Sequence, residues 1–253
     1  MMLAEERRLQ LVEWTRNEGR IDAGIAAKKL RVATETVRRD LDVLERRGVL
    51  RRVHGGAISQ ERFHKEYTIP ERENINPDAK ARIANAAAAF IPERGCIFVD
   101  GGTTTEQLAT HLRDKPELLV ITNNIRLASR IGGSGTKVHV LSGQIRPASL
   151  STVGARAAED LAEWNASVCF LGANGLTADL HMTAFDADES SVKKVMMRNS
   201  EERILLVDHS KFRNTYPATF GHARELDRVV CDLETSLAEV EALRALDLEV
   251  TLA

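Results

Sequence analysis

The run Thr34-Glu35-Thr36-Val37-Arg38-Arg39-Asp40-Leu41, followed by Gly48-Val49-Leu50-Arg51-Arg52-Val53-His54-Gly55-Gly56, constrains this chain more than any other stretch. On a helix, Val37, Leu41 and Leu44 recur at spacings of four and three and so share one buried face. Thr36, Arg38 and Arg39 are thereby turned to the opposite side near the helix N-terminus. A recognition helix in the major groove carries its base-reading residues there. The glycine-bounded residues that follow predict a short basic hairpin, offering Arg51, Arg52 and His54 to a phosphate backbone. A solvated charged helix would account for the arginines alone, but not for helix, hairpin and polarity together.

Upstream, Leu3, Leu9, Leu11, Val12 and Trp14 give helix periodicity over about Ala4–Glu18, which Gly19 stops. A second helix begins at Ile21-Asp22 with Asp22 as N-cap, and Ile25, Ala26 and Leu30 form its expected core face. A tight turn at Arg31-Val32-Ala33 leads to the third helix, Thr34–Arg47, closed by Gly48. Helices, turn and β-wing together predict an N-terminal winged helix-turn-helix over residues 1–57. Thr36 and Arg38 are the expected base-edge contacts, since Arg pairs guanine bidentately and Thr suits a thymine methyl. Arg39, Arg51, Arg52 and His54 are expected on phosphates, and Thr34 and Gly55 complete the DNA-facing set. Asp40 is expected to hold an arginine in place.

Charge splits along the chain. Residues 1–57 hold 13 Lys and Arg against 9 Asp and Glu, a net of +4, and residues 58–253 carry a net of −6. A basic head on an acidic body suits one face meeting nucleic acid and a body repelled by it. Cys96, Cys169 and Cys231 lie far apart inside apolar runs, which predicts buried reduced thiols and a cytoplasmic protein. The N-terminus turns charged at once and no apolar run approaches a membrane span.

Residues 58–78 read as a linker. Pro70 and Pro77 bracket a polar segment with at most a short helix at Pro70–Asn74, and Pro77-Asp78 opens an alanine-rich helix through Phe90. The body, residues 79–253, alternates apolar strands with helices. Cys96–Val99 ends in Asp100-Gly101-Gly102-Thr103-Thr104-Thr105, then a helix expected over Glu106–Leu112. Strand, glycine-hydroxyl turn and helix N-terminus make an anion site, in which glycines let backbone N–H groups approach and hydroxyls donate. Leu118–Ile121 leads to Thr122-Asn123-Asn124, and Val138–Leu141 to Ser142-Gly143-Gln144. Val168–Leu171 leads to Gly172-Ala173-Asn174-Gly175, and Ile204–Val207 to Asp208-His209-Ser210-Lys211. This order predicts an α/β fold with a mainly parallel sheet, whose ligand sits beyond the strands' carboxyl ends. Lys211 is the expected cationic partner of a phosphate. Lys193, on a helix over Glu189–Arg198, is a second candidate or plain surface.

Glu35–Leu41 and Arg52-Val53-His54-Gly55-Gly56-Ala57 resemble the DNA-binding domain of the DeoR family of bacterial repressors. Members usually carry Ser or Thr where Ala33 stands, so capping of the third helix is expected to shift to Thr34 or to weaken. Residues from about Lys80 to Leu252 resemble the sensor domain of the same family and, more distantly, ribose-5-phosphate isomerase. Asp100–Thr104, Thr122–Asn124, Gly172–Gly175 and Val207–Phe212 carry that resemblance. It implies a homodimeric or homotetrameric repressor of carbohydrate genes that binds double-stranded operator DNA and responds to a phosphorylated sugar. The effector set implied is Asp100, Gly101, Gly102, Thr103, Thr104, Thr105, Thr122, Asn123, Asn124, Gly143, Asn174, Gly175, Lys193 and Lys211. The family commonly has glycine at His181, which is read as an exposed loop histidine ahead of an effector or subunit contact.

The isomerase alternative needs a carboxylate base beside the substrate carbonyl. Isomerases place an Asp-Gly-Ala-Asp motif where this chain has Gly172-Ala173-Asn174-Gly175, so both carboxylate positions are glycine. The isomerase glutamate downstream falls near Lys193, a reversal of charge. The expectation is therefore a sensor without catalysis, cofactor or metal. An isomerase with an accessory DNA-binding head, and an activator or dual regulator with the same parts, are the alternatives.

Overall fold

The computed structural model describes residues 3–18, 20–53, 55–59 and 66–253. Two compact units divide the chain at Glu66 and Tyr67, so residues 67–78 of the expected linker fold with the second unit.

In the first unit, α1 (Ala4–Glu18), α2 (Ala23–Leu30) and α3 (Thr34–Arg46) pack on a small antiparallel sheet. Its strands are β1 (Arg20–Asp22), β2 (Leu50–Val53) and β3 (Gly56–Ser59), in the order β1-β3-β2. The Asp22 carboxylate accepts the backbone N–H groups of Gly24 and Ile25 at 2.8 and 2.9 Å, satisfying two donors that the start of α2 leaves open. Leu11, Ile21, Val37, Leu41, Leu44 and Leu50 are buried together. Ile25 departs from expectation. It is 58% exposed, and Ala23, Ala26, Ala27 and Leu30 make the inner face of α2 instead. In so short a helix, alanines let the backbones of α2 and α3 approach where a larger side chain would hold them apart.

The second unit opens with α4 (Ile69–Glu73) and α5 (Pro77–Ala87), which tightens into a 3-10 turn at Ala88–Phe90. Then follow β4 (Gly95–Val99), β5 (Leu118–Thr122), α6 (Ile125–Ile131), β6 (Lys137–Val140), β7 (Gln144–Arg146), β8 (Ser151–Val153) and α7 (Ala155–Ala162). The chain continues through β9 (Ala166–Gly172), β10 (Gly175–Leu176), β11 (His181–Ala184), α8 (Ala187–Arg198), β12 (Ser200–Val207) and β13 (Ala218–His222). It ends in β14 (Arg228–Cys231), α9 (Leu237–Arg244) and β15 (Glu249–Leu252).

Seven strands form one parallel sheet in the order β15-β14-β12-β9-β4-β5-β6. Successive residues of its central strands enter opposite cores. Phe98, Ile121, Leu171 and Leu205 join one, and Val99, Val120, Phe170 and Leu206 the other. Both faces are therefore covered, which is why these strands read as unbroken apolar runs. From β4 the chain steps out to β5 and β6, then returns to β9 on the other side of β4 and continues outward to β15. The neighbours β4 and β9 are the switch point, where an open α/β sheet leaves a crevice at its carboxyl edge.

The segment after β4 is not the expected α-helix over Glu106–Leu112; it is a 3-10 turn, Thr105–Thr110. The Thr105 hydroxyl donates to the carbonyls of Asp100 and Gly102 at 2.8 and 3.0 Å, a local closure that competes with regular helix.

Candidate functional site: a DNA-facing head and a switch-point pocket

On α3, Val37, Leu41 and Leu44 face inward, and Arg38 and Arg39 are exposed, with Thr34 and Thr36 half-buried between. Asp40 is buried and accepts from Arg7 Nε at 2.5 Å and Arg8 Nε at 2.8 Å, so it ties α3 to α1. Among the described residues, Arg38 has an exposed 3.6 Å contact with Glu35, which costs little to exchange for a base edge. Ala33 occupies the N-cap of α3 with no side-chain hydrogen bond, and Thr34 does not take the role over.

The wing is tied back to α3. Arg52 Nε lies 3.2 Å from the Asp42 carboxylate, and the Arg52 backbone N–H donates to Glu45 at 2.7 Å. Arg52 thus braces the hairpin, and any phosphate contact must be shared with Asp42. Gly55 has φ +82°, open to glycine at little cost. Gly56 is required for space: a Cβ there would lie 1.8 Å from the Ile21 carbonyl. The Arg51 side chain and His54 lie outside the described residues.

In the second unit, Asp100 closes β4 and Gly172 closes β9, at the switch point itself. Asp100 is 1% exposed; its Oδ2 accepts the Gly172 N–H at 3.0 Å and pairs with the Lys193 ammonium. Lys193 is 5% exposed and also donates to the Gly172 carbonyl at 3.1 Å. It is neither surface nor a loose cation awaiting phosphate. Its charge neutralises a carboxylate that would otherwise repel an anion in the adjoining turn.

Gly101 and Gly102 follow. A Cβ on Gly101 would lie 2.2 Å from Ser151 Oγ, and Gly102 has φ +145°, so both positions favour glycine. Thr103 and Thr104 are buried, and no hydrogen bond occupies their hydroxyls among the described residues. Several expected ligands instead have structural duties. Thr105 is committed to the turn, and Thr122 donates to the Val99 carbonyl at 2.6 Å while accepting from Asn124 N–H. Asn124 caps α6 through Arg126 and Leu127 N–H groups. Gly143 packs against Val153 and Ala157, and Gly175 against the Asn214 backbone. Asn174 lies at the end of β9 with its Oδ1 3.4 Å from the Phe185 N–H.

Asn123 remains: its buried Oδ1 has no hydrogen-bond partner. Local sequence reading missed Ser149 and Thr152, whose buried hydroxyls are likewise unmatched. The β7–β8 hairpin folds them back so that Thr152 N–H donates to the Asn123 carbonyl at 2.9 Å and Ser151 sits over Gly101. A hydroxyl-rich stretch after a glycine turn was the available signal.

A further cluster surrounds the end of β12. Asp208 is buried and accepts from Asn76 and Ser210 at 2.9 Å each. Burial opposes its ionisation, but the Lys211 charge and these hydrogen bonds prevail and hold it below its ordinary range. Lys80, on α5, donates to the Arg72 carbonyl; burial first, and then the Lys211 charge, push its pKa down to about 8. Lys80, Lys211 and Arg72 thus share this cluster with the carboxylates of Asp208 and Glu73.

His209 pairs with Asp232 at 2.5 Å, which raises its pKa against burial. His209, Asp232 and Glu234 are spaced as metal ligands are, but Glu234 already pairs with Arg82 at 3.0 Å. Burial pushes the Cys169 thiol up to about 12 and those of Cys96 and Cys231 to about 11, so these cysteines are not nucleophiles at neutral pH.

Residues 7–63 match the DeoR-like helix-turn-helix domain, and residues 75–233 match the DeoR C terminal sensor domain. The chain belongs to the DeoR family. It is 32% identical over 237 residues to the lactose phosphotransferase system repressor of Streptococcus mutans, covering 92% of this chain and 94% of that one. It is 26% identical to the glycerol-3-phosphate regulon repressor of Escherichia coli K12, over 96% of each. Ribose 5-phosphate isomerase A of Methanocaldococcus jannaschii is similar over 54% of this chain and 55% of its own, at 17% identity and a TM-score of 0.40. The sorbitol operon regulator SorC of Klebsiella pneumoniae is similar over 93% and 97%, at 10% identity and a TM-score of 0.40. This DeoR-family chain is thus a transcriptional regulator built from a DNA-binding domain and a sensor domain. No described helix is long and apolar enough to cross a membrane.

Proposed function

We propose that this regulator represses carbohydrate-metabolism genes from the bacterial cytoplasm and is released from its operator by a phosphorylated sugar bound at the β4–β9 switch point. The observation that carries the reading is the Gly101–Thr104 turn at the switch point, beside which the buried Asn123 Oδ1 has no hydrogen-bond partner, with the buried and unmatched Ser149 and Thr152 hydroxyls on the hairpin whose Ser151 packs against Gly101. Each such atom costs about 1–3 kcal/mol if left unsatisfied. A polyhydroxylated ligand supplies the missing partners. Its phosphate suits the Gly101–Thr104 turn, where Thr103 and Thr104 can donate, with Lys211 and Lys80 as the positive side. The names of the relatives, repressors of a sugar phosphotransferase system and of a glycerol-3-phosphate regulon, support the sign of the response.

The commitment of Asp100 to Lys193 and Gly172 supports binding without turnover. The ammonium lowers the basicity of that carboxylate, and glycines stand at the positions where isomerases carry their carboxylates, Gly172 and Gly175. The experiment is DNA binding by the full chain to promoter fragments beside its own gene. Fructose 1-phosphate, fructose 6-phosphate and glucose 6-phosphate are each titrated in, with coupled turnover assays on the same sugars. At least one sugar phosphate should weaken the complex, none should be converted, and Thr104→Val or Lys211→Ala should bind DNA without responding. Unchanged responses in both variants, or brisk isomerisation, would overturn the assignment.

A further inference from the structure

Lys193 turns inward from α8 to Asp100, and the next residue, Lys194, is exposed with Arg198 on the outer face of the same helix. That outer face borders a cavity of about 740 Å³. Lys194, Arg198 and Arg203 supply three cations to its wall, His181 and His222 add two imidazoles, and Glu225 is the one carboxylate among its lining residues.

Among the described residues, none of the three cations has a carboxylate within ion-pair distance. Arg203 is fixed by carbonyls instead, Nε donating to Met197 and Nη1 to Glu225, each at 3.0 Å. Arg198 Nε donates to the Asn199 side-chain oxygen at 3.1 Å. Arg82, Arg126, Arg213 and Arg228 of the same unit all take carboxylates. Of the acids near the rim, Asp179 is held by His181 Nδ1 at 3.0 Å, and Asp227 accepts the Arg203 backbone N–H at 2.8 Å. Glu225 accepts the His222 backbone N–H at 2.6 Å. Three cations held around one concavity repel one another, and an anion seated among them removes that repulsion.

The rest of the wall is apolar. Met197 and Phe220 are buried and form part of the lining, with Gly221 between them leaving the backbone bare. A Cβ on Gly221 would lie 3.0 Å from Met182 Cε and 3.1 Å from Met197 Cε, so the methionines already fill that side. An open cavity of this size with a cationic rim and an apolar floor suits a small organic anion better than a bare ion.

We propose that this cavity is a second ligand site, for a small organic phosphate, separate from the switch-point pocket and joined to it through α8. Lys193 turns into the first site and its neighbour Lys194, about 100° further round the helix, borders the second. The inference stands whether or not the switch-point pocket takes a phosphosugar.

Equilibrium dialysis of the full chain against inorganic phosphate, glucose 6-phosphate and 3-phosphoglycerate tests it. The variants are Lys194→Ala/Arg198→Ala, which alters two exposed side chains, and Thr219→Trp, which obstructs the mouth. For at least one organic phosphate, both should remove one bound equivalent per chain or weaken it at least tenfold. Inorganic phosphate should bind more weakly at the same place. Lys211→Ala should spare this equivalent, whatever it does to the other. Three outcomes overturn the proposal: no saturable binding that the double variant removes, a single equivalent lost in Lys211→Ala alone, or a changed oligomer mass with ligand stoichiometry intact. The last would make these cations a contact between copies of the chain.

Discussion

Removing the Lys193 ammonium would leave Asp100 as a buried carboxylate with Gly172 N–H as its remaining partner. Lys193→Met is therefore expected to destabilise the sensor by about 3–5 kcal/mol, and adding Asp100→Asn to recover much of that, as denaturant unfolding would show. Lys80 offers a test in pH. Its folded-state value of about 8 lies below the ordinary 10.5, so the folded chain binds fewer protons than the unfolded one between those values. The cost of burying the charge is fully present below pH 8 and is relieved as pH rises through that window. Relative to Lys80→Met, the native chain should gain stability from pH 7 to pH 10; a flat difference would mean that the lysine is well solvated. Of these residues, the Gly-Thr turn was legible as a turn because glycines and hydroxyls follow an apolar strand directly. The partner of Lys193 was not, since Asp100 and Lys193 lie 93 residues apart. Nor were the unmatched atoms of Ser149 and Thr152, which depend on where one hairpin folds.

At the scale of elements, periodicity located α1, α3 and the parallel strands, because each buries a continuous stripe or run. In α2 it gave the helix, the Asp22 cap and the buried Ala26 and Leu30 but not Ile25, which is exposed, and it missed after β4, where Thr105 closes a 3-10 turn. The N-cap of α3 is the clearest opening for design. Ala33 has extended backbone, φ −66° and ψ 144°, and provides no oxygen to the first turn. Thr36 and Val37 N–H already donate to the Ala33 carbonyl, which leaves the Glu35 amide for a cap. Ala33→Ser should add about 1 kcal/mol and raise hydrogen-exchange protection of the Glu35 amide. Equal exchange in both proteins would show that donor already satisfied by water. Asp40→Ala should loosen α1 from α3, costing about 2 kcal/mol by loss of two partly buried charge-assisted hydrogen bonds.

For the whole molecule, charge segregation and domain order were legible from the first 57 residues and the strand-turn alternation that follows. The proposed ligand class rests on resemblance and strand-end chemistry. On the DNA side, Arg38→Ala should cost about 1–3 kcal/mol on its cognate base and little on random duplex, measured at one fixed salt concentration. Equal losses on both would reassign Arg38 to a phosphate. The central claim joins the two units by linkage: a sugar phosphate that lowers DNA affinity must itself bind less tightly when DNA is present, by the same factor. Calorimetric titration of the effective sugar phosphate into the full chain, free and saturated with its promoter fragment, measures both. The account predicts matching factors of at least fivefold, abolished by Lys211→Ala. Identical sugar-phosphate affinity with and without DNA would contradict it.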